Sequence, residues 1–272
     1  MAGAGGPAEH QTILALRGGG RIWAVAAVHG EADRLDDLHA QLLAKSQAGD
    51  QLVYLGNLLG LGPKVKEALD AALLFRRAFI ARPGADAADL VFLRGAQEEM
   101  WQKLLQLQFA TGPAQVYDWM LSQGVGPTIA AYGGTVEEGR QAIKEGILAL
   151  TRWTSALRTV FRGHDGHAQY LSALRHAAHS GEGGLLFVHA GIDPTRPLAA
   201  QSDSFWWGGG GFSDLAQPYG GFMKVVRGFE RKHQGPRTDA HTVTLDGGAG
   251  FGGALIAARF EPDGSVSEIL KA

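Results

Sequence analysis

The chain has 272 residues, a formal net charge of −2 and an ordinary apolar share. That is long enough for one large α/β domain, and too evenly charged to require nucleic acid or an anionic membrane as a partner. It contains no cysteine, which excludes disulfides, thiolate metal ligands and a cysteine nucleophile. No apolar run approaches the roughly 20 residues that span a bilayer. Residues 1–11 lack the basic and apolar regions of a signal peptide, so a flexible leader and a cytoplasmic protein are expected.

The first half repeats a short apolar run, a Gly-marked loop and a stretch of helical periodicity, the grammar of stacked βα units. Residues 21–28 form the first predicted strand, ending at His29-Gly30, and the helix after it buries Leu35, Leu38 and Leu42. Residues 51–55 form the second, ending in Gly56-Asn57-Leu58-Leu59-Gly60-Leu61-Gly62-Pro63. Pro63 suits a first helical turn, and Val65, Leu69, Leu73 and Phe79 share one side of the helix that follows. Residues 90–93 form the third, ending in Arg94-Gly95-Ala96-Gln97-Glu98 ahead of a helix through Phe109.

Residues 111–179 are mostly helical, with the longest piece over 136–161, and read as a helical insertion within a single domain over 12–272. Residues 185–188 form a fourth strand ending in His189-Ala190-Gly191. The tail holds three more, over 222–226, 241–245 and 253–260, expected to pair antiparallel because no helices separate them. In open α/β sheets the functional crevice lies beyond the carboxyl ends of the strands. His29, Asn57, Arg94 and His189 sit at those ends and are predicted to converge.

These strand-end loops resemble, in order, the signature segments of the PPP-type, calcineurin-like metallophosphatases, which include serine/threonine protein phosphatases and dinucleoside tetraphosphatase relatives. The family segments are Gly-Asp-x-His-Gly, Gly-Asp-x-x-Asp-Arg-Gly, Gly-Asn-His-Glu, His-Ala-Gly and a late Gly-His. Here they read Ala26-Ala27-Val28-His29-Gly30, Gly56-Asn57-Leu58-Leu59-Gly60-Leu61-Gly62, Gly95-Ala96-Gln97-Glu98, His189-Ala190-Gly191 and Gly228-Phe229. Thr244-Leu245-Asp246-Gly247-Gly248-Ala249 resembles the family's closing Asp-x-Gly turn. The resemblance implies an α/β calcineurin-like metallophosphoesterase fold, with mixed β-sheet layers flanked by helices.

It also implies what is missing. The family uses two divalent metals, such as manganese or an iron/zinc pair, to polarise the phosphoryl oxygens and activate a bridging water. On this chain its first Asp falls at Ala27, the bridging Asp at Asn57, the Asn at Ala96 and the last His at Phe229. His29, Asn57 and His189 remain as remnants of the metal set. The proton donor falls at Gln97, which has no titrating proton, and its orienting Asp at Gly60. Of two phosphate-gripping arginines, one position is Leu61 and the other remains as Arg94.

No metal cofactor is therefore expected, no catalytic residue is assigned, and the chain reads as a pseudophosphatase with a binding, regulatory or scaffolding role, its partner another protein or a phosphorylated ligand. Two alternatives stay open. One is a weak phosphoesterase acting on phosphoprotein or dinucleoside polyphosphate with a single metal between His29, Asn57 and His189. The other is a structural subunit of a complex.

Each candidate also has a plainer reading. His29 and His189 are either metal relics or satisfied buried polar groups. Arg94 is either an anion site or the partner of Glu98 or Glu99. His164-Asp165-Gly166-His167 and the pair His176 and His179 have metal-like spacing, but a solvated turn and helix face is preferred. Phe205, Trp206, Trp207 and Phe212 flank a glycine run, and are either a partner-binding loop or a seal over the site.

Overall fold

The computed structural model describes residues 13–181, 183–201 and 203–272; the leader expected over 1–11 lies outside them. After β1 (Ile13–Ala15), three βα units follow: β2 (Ile22–Val25) with α1 (Ala32–Lys45), β3 (Gln51–Tyr54) with α2 (Val65–Ile80), and β4 (Leu90–Phe92) with α3 (Ala96–Leu104). A helical segment comes next, of α4 (Pro113–Ser122), α5 (Gly126–Ala131), α6 (Val136–Glu145), α7 (Ile147–Gly163) and α8 (His167–Ala173). The remainder contains β5 (Ala177–His179), β6 (Leu185–Val188), the one-turn α9 (Ser204–Trp207), β7 (Lys224–Arg227), β8 (Arg237–Thr238), β9 (Thr242–Thr244), β10 (Ile256–Phe260) and β11 (Val266–Lys271).

The strands form two mixed sheets, ordered β1-β5-β6-β7-β9-β8 and β11-β10-β2-β3-β4. The sheets face each other across a shared core in which Ala24, Val53, Leu55 and Val91 meet Phe187, Val226, Val243 and Leu245. The outer face of the second sheet is covered by Leu35, Leu38 and Leu42 of α1 and Leu69 and Phe79 of α2. Phe205, Trp206 and Phe212 cover Val188 and Val225 on the outer face of the first. Strands buried on both faces read as unbroken apolar runs rather than as alternation, which is why β2, β3, β4 and β6 stand out in the sequence.

Register sets the site. In the parallel ladder of β2, β3 and β4, Val25 pairs with Tyr54 and Tyr54 with Phe92, so three loops leave the sheet at one level. Val188 of β6 likewise pairs with Arg227 of β7, and Arg227 with Thr244 of β9.

Three expectations need correction. β7 and β9 are parallel, because the two-residue β8 takes the reversal and pairs antiparallel with β9. The helical stretch over 136–161 is two helices meeting at Gly146. Residues 177–179, assigned to the helical insertion, form β5 of the first sheet. Among the described residues no helix is long and apolar enough to cross a membrane.

Candidate functional site

Main-chain hydrogen bonds bind the strand-end loops together. Both Val28 and His29 donate their amides to the Asn57 carbonyl, at 3.0 and 2.6 Å. The Ala27 amide reaches the Gly228 carbonyl at 3.0 Å, and the amides of Gly228 and Phe229 reach the His189 carbonyl at 2.9 and 3.0 Å. His29 and Asn57 both adopt left-handed backbone conformations, with φ of 54° and 53°. Such residues cost about 1–3 kcal/mol each unless their surroundings over-determine them, and here the interlaced loops do so.

Glu98 is the anchor of this arrangement. Fully buried, its carboxylate accepts from the amides of Asn57 (2.8 Å), Leu59 (3.1 Å) and Gly95 (2.9 Å). Burial raises its pKa against the opposing pull of these amides. It makes no ion pair with Arg94; that role falls to Glu99, whose Oε2 lies 2.6 Å from Arg94 Nη1 and whose Oε1 also meets Lys103 at 3.3 Å. The Arg94 guanidinium additionally lies 5.7 Å over the Trp206 ring. Of the four converging residues expected at the strand ends, His29, Asn57 and His189 share the centre, while the Arg94 side chain is turned to Glu99.

The tautomers at the centre follow from the partners. The Gln97 amide donates to Asn57 Oδ1 at 2.9 Å, which leaves Asn57 Nδ2 to donate to His29 Nε2 at 3.3 Å. His29 therefore carries its proton on Nδ1, which has no partner. His189 donates from Nδ1 to the Leu55 carbonyl at 2.6 Å, leaving a buried, unpartnered Nε2 lone pair. Both rings are neutral. Burial first, then the neighbouring imidazoles of His189 and His233, lowers the His29 pKa to about 3. Burial lowers that of His189 to about 4 against the bond to Leu55.

Phe229 occupies the middle. Its ring stacks on His189 (centroids 5.4 Å, interplanar angle 8°) and meets His29 edge-on at 5.6 Å and His233 at 5.5 Å. Gln97 lies against Gly60, where an added Cβ would come within 2.7 Å of its side chain, and its Nε2 donates to the Gln123 carbonyl at 2.7 Å. Leu61 sits close to Gly124 and Gly250. Ala27 and Ala96 are buried. Among the described residues no group of three or more His, Cys, Asp and Glu side chains is placed to hold a metal ion.

A second polar cluster borders the centre, and the sequence signalled only part of it. Asp246 Oδ2 accepts from the Glu230 amide (2.8 Å) and from His233 Nδ1 (2.7 Å), and its Oδ1 from the Gly248 amide (2.8 Å). His233 stacks on the half-exposed Phe251 at 3.9 Å, and Phe251 in turn meets His29 edge-on at 5.4 Å. The Asp-x-Gly turn marked Asp246, but nothing local pointed to His233.

The remaining candidates have local roles. His167 bridges Asp70 and Tyr132, both at 2.9 Å; His164 lies beside His167 with ring centroids 5.1 Å apart; His176 packs on Trp206 and His179 on Phe222. Asp165 pairs with Arg77 at 2.5 Å on the surface. Phe205, Trp206 and Phe212 are buried, and Trp207 meets Trp119 at 5.4 Å.

Stacked mixed sheets with helices outside and functional loops at the parallel strand ends define the calcineurin-like phosphatase fold. Among solved structures the chain is similar to a candidate diadenosine tetraphosphatase, at 19% identity over 96% of this chain and 98% of that one, with a TM-score of 0.55. It is similar to a Saccharomyces cerevisiae serine/threonine phosphatase resembling human PP5 (10% identity, 97% and 85% covered, TM-score 0.51). A cold-active protein-tyrosine phosphatase of a psychrophilic Shewanella also matches (14% identity, 96% and 84% covered, TM-score 0.54). At these identities the likeness concerns the fold. No model of a known protein family matches the chain, and no curated protein matches its sequence.

Proposed function

We propose that the chain is a pseudophosphatase: a phosphatase-fold protein that holds no catalytic metals and acts by binding. The observation that carries this reading is Phe229, whose half-buried ring packs against those of His29, His189 and His233 where the resemblance puts a metal-binding histidine. Two divalent cations need anionic oxygen ligands to balance their charge. The side chains lining this space are imidazoles, an amide and a phenyl ring. The bordering carboxylates are already engaged, Glu98 by three main-chain amides and Asp246 by two amides and His233, and His29 Nε2 is held by Asn57. The donor set does not fit the family's metal pair.

General acid catalysis fails on the same ground. Gln97 stands at the proton donor's position, and its amide is tied to the Gln123 carbonyl. Without metal or acid, the crevice retains only shape and hydrogen-bonding groups, which are the properties of a binding surface.

The test is elemental analysis of the purified protein after incubation with manganese and desalting, run beside turnover of an aryl phosphate. The expected result is metal well below one equivalent and turnover no faster than the blank. One or two retained equivalents, with turnover abolished by His189→Ala, would overturn the reading.

A further inference from the structure

Beside the sealed centre a cleft of about 650 Å³ opens between the chain after α9 and the loop after β7. This lies within the usual range of small-molecule sites. One wall is main chain, formed by Gly208, Gly209 and Gly210. A Cβ on Gly209 would collide with the Ile192 carbonyl, so no side chain fits there and this wall stays main chain. Among the described residues the amides of Gly209 and Gly210 make no main-chain hydrogen bond.

The opposite wall is cationic. Arg227, Arg231, Lys232 and Arg237 line it, against the carboxylates of Glu230 and Asp239. Arg227 is fixed by Glu230 at 2.6 Å, by Thr244 at 2.9 Å and by the Phe212 face at 4.3 Å, while Arg237 meets Asp239 at 3.0 Å. Those two carboxylates therefore balance two of the four cations. Arg231 and Lys232 are exposed and form no ion pair among the described residues. With a whole-chain charge of only −2, this excess of positive charge is local and not a consequence of composition.

We propose that this cleft binds a small phosphorylated molecule. Arg231 and Lys232 pair with the phosphate, and the amides of Gly209 and Gly210 donate to its oxygens. Two adjacent unbalanced cations match the double charge of a phosphate rather than the single charge of a carboxylate, and free successive amides suit a tetrahedral oxyanion. The inference rests on the metal-free reading above and names its ligand class. It also moves the anion seat away from Arg94, which is held by Glu99.

The test is calorimetric titration with inorganic pyrophosphate at low ionic strength, with and without manganese, alongside a phosphoserine peptide. Saturable pyrophosphate binding that weakens with added salt is expected. The double charge reversal Arg231→Glu/Lys232→Glu should reduce the affinity at least about ten-fold, with an unchanged melting temperature, while Arg94→Ala leaves it unaltered. The proposal is overturned by pyrophosphate that never saturates, by loss with Arg94→Ala and not with the double reversal, or by binding confined to the peptide. Binding that appears only with manganese would instead overturn the metal-free reading beneath it.

Discussion

The sealed centre and the loops beside it treat buried polarity in opposite ways. In the centre, the side chains of His29 and His189 are uncharged imidazoles, and those of Asn57 and Gln97 are amides. Nearby, charges persist wherever protein groups answer them. Asp246 faces two amides and His233, Arg227 faces Glu230 and Thr244, and Glu98 faces three amides. A buried charge is tolerated where fixed donors or a counter-ion compensate it, and is costly elsewhere. At the positions where the resemblance calls for a metal to supply that compensation, the chain has Ala27, Asn57 and Phe229.

Removing a compensated charge should have the largest effect. Glu98→Ala would strand the buried amides of Asn57, Leu59 and Gly95 and is expected to cost about 3–5 kcal/mol in urea unfolding. A loss below about 1 kcal/mol would mean that the carboxylate is not what ties the two loops together. The reverse experiment adds an uncompensated charge. Asn57→Asp, which restores a carboxylate at the centre, is expected to cost about 1–3 kcal/mol, and manganese should not raise its melting temperature. Stabilisation by manganese, read as binding to the native state, would break the comparison.

The neutrality of the centre also predicts a pH dependence. Burial lowers the folded-state pKa values of His29 and His189 to about 3 and 4 from an ordinary value of 6.5, and that of His39, buried on α1 against Phe75 and outside the centre, to about 3. Below pH 6.5 the unfolded chain therefore binds more protons than the folded one, so stability present at neutral pH is lost as pH falls toward those values. The slope is up to about 1.4 kcal/mol per pH unit for each histidine. Melting temperatures measured between about pH 7.5 and 5 should fall steadily, and His189→Gln should flatten the curve. A flat wild-type profile would mean that these rings titrate normally and are not sealed.

How much of this the sequence carried depends on the range of each interaction. The strands β2, β3, β4 and β6 were legible because burial on both faces makes them continuous apolar runs ended by glycine. β11 was not, because it alternates exposed and covered positions with Ser267, Glu268 and Lys271 along a sheet edge. The parallel pairing of β7 with β9 was hidden because the reversal takes place in the two residues of β8. In the centre, the convergence of His29, Asn57 and His189 was readable from their places at the strand ends. That Phe229 would lie among three imidazoles was not, since His233 enters through its bond to Asp246. Nor was the choice of Glu99 over Glu98 as the partner of Arg94, because adjacent positions on a helix face different directions.

That choice yields the smallest predicted effect. Arg94 and Glu99 are both largely covered, and breaking a buried pair usually leaves an expensive unpaired charge. Here Lys103, one turn along α3, already lies 3.3 Å from the other oxygen of Glu99. Arg94→Ala is therefore expected to cost no more than about 1 kcal/mol in urea unfolding, the scale of an exposed pair, because Glu99 keeps a cation. The double substitution Arg94→Ala/Lys103→Ala removes both cations from a carboxylate with little access to water, and should cost more than the sum of the two single losses. Additive losses would mean that Glu99 is solvated well enough to need neither partner. The Arg94 guanidinium would then be free to turn from Glu99 into the crevice, and the contrast between a neutral centre and a charged periphery would no longer hold on this side of the site.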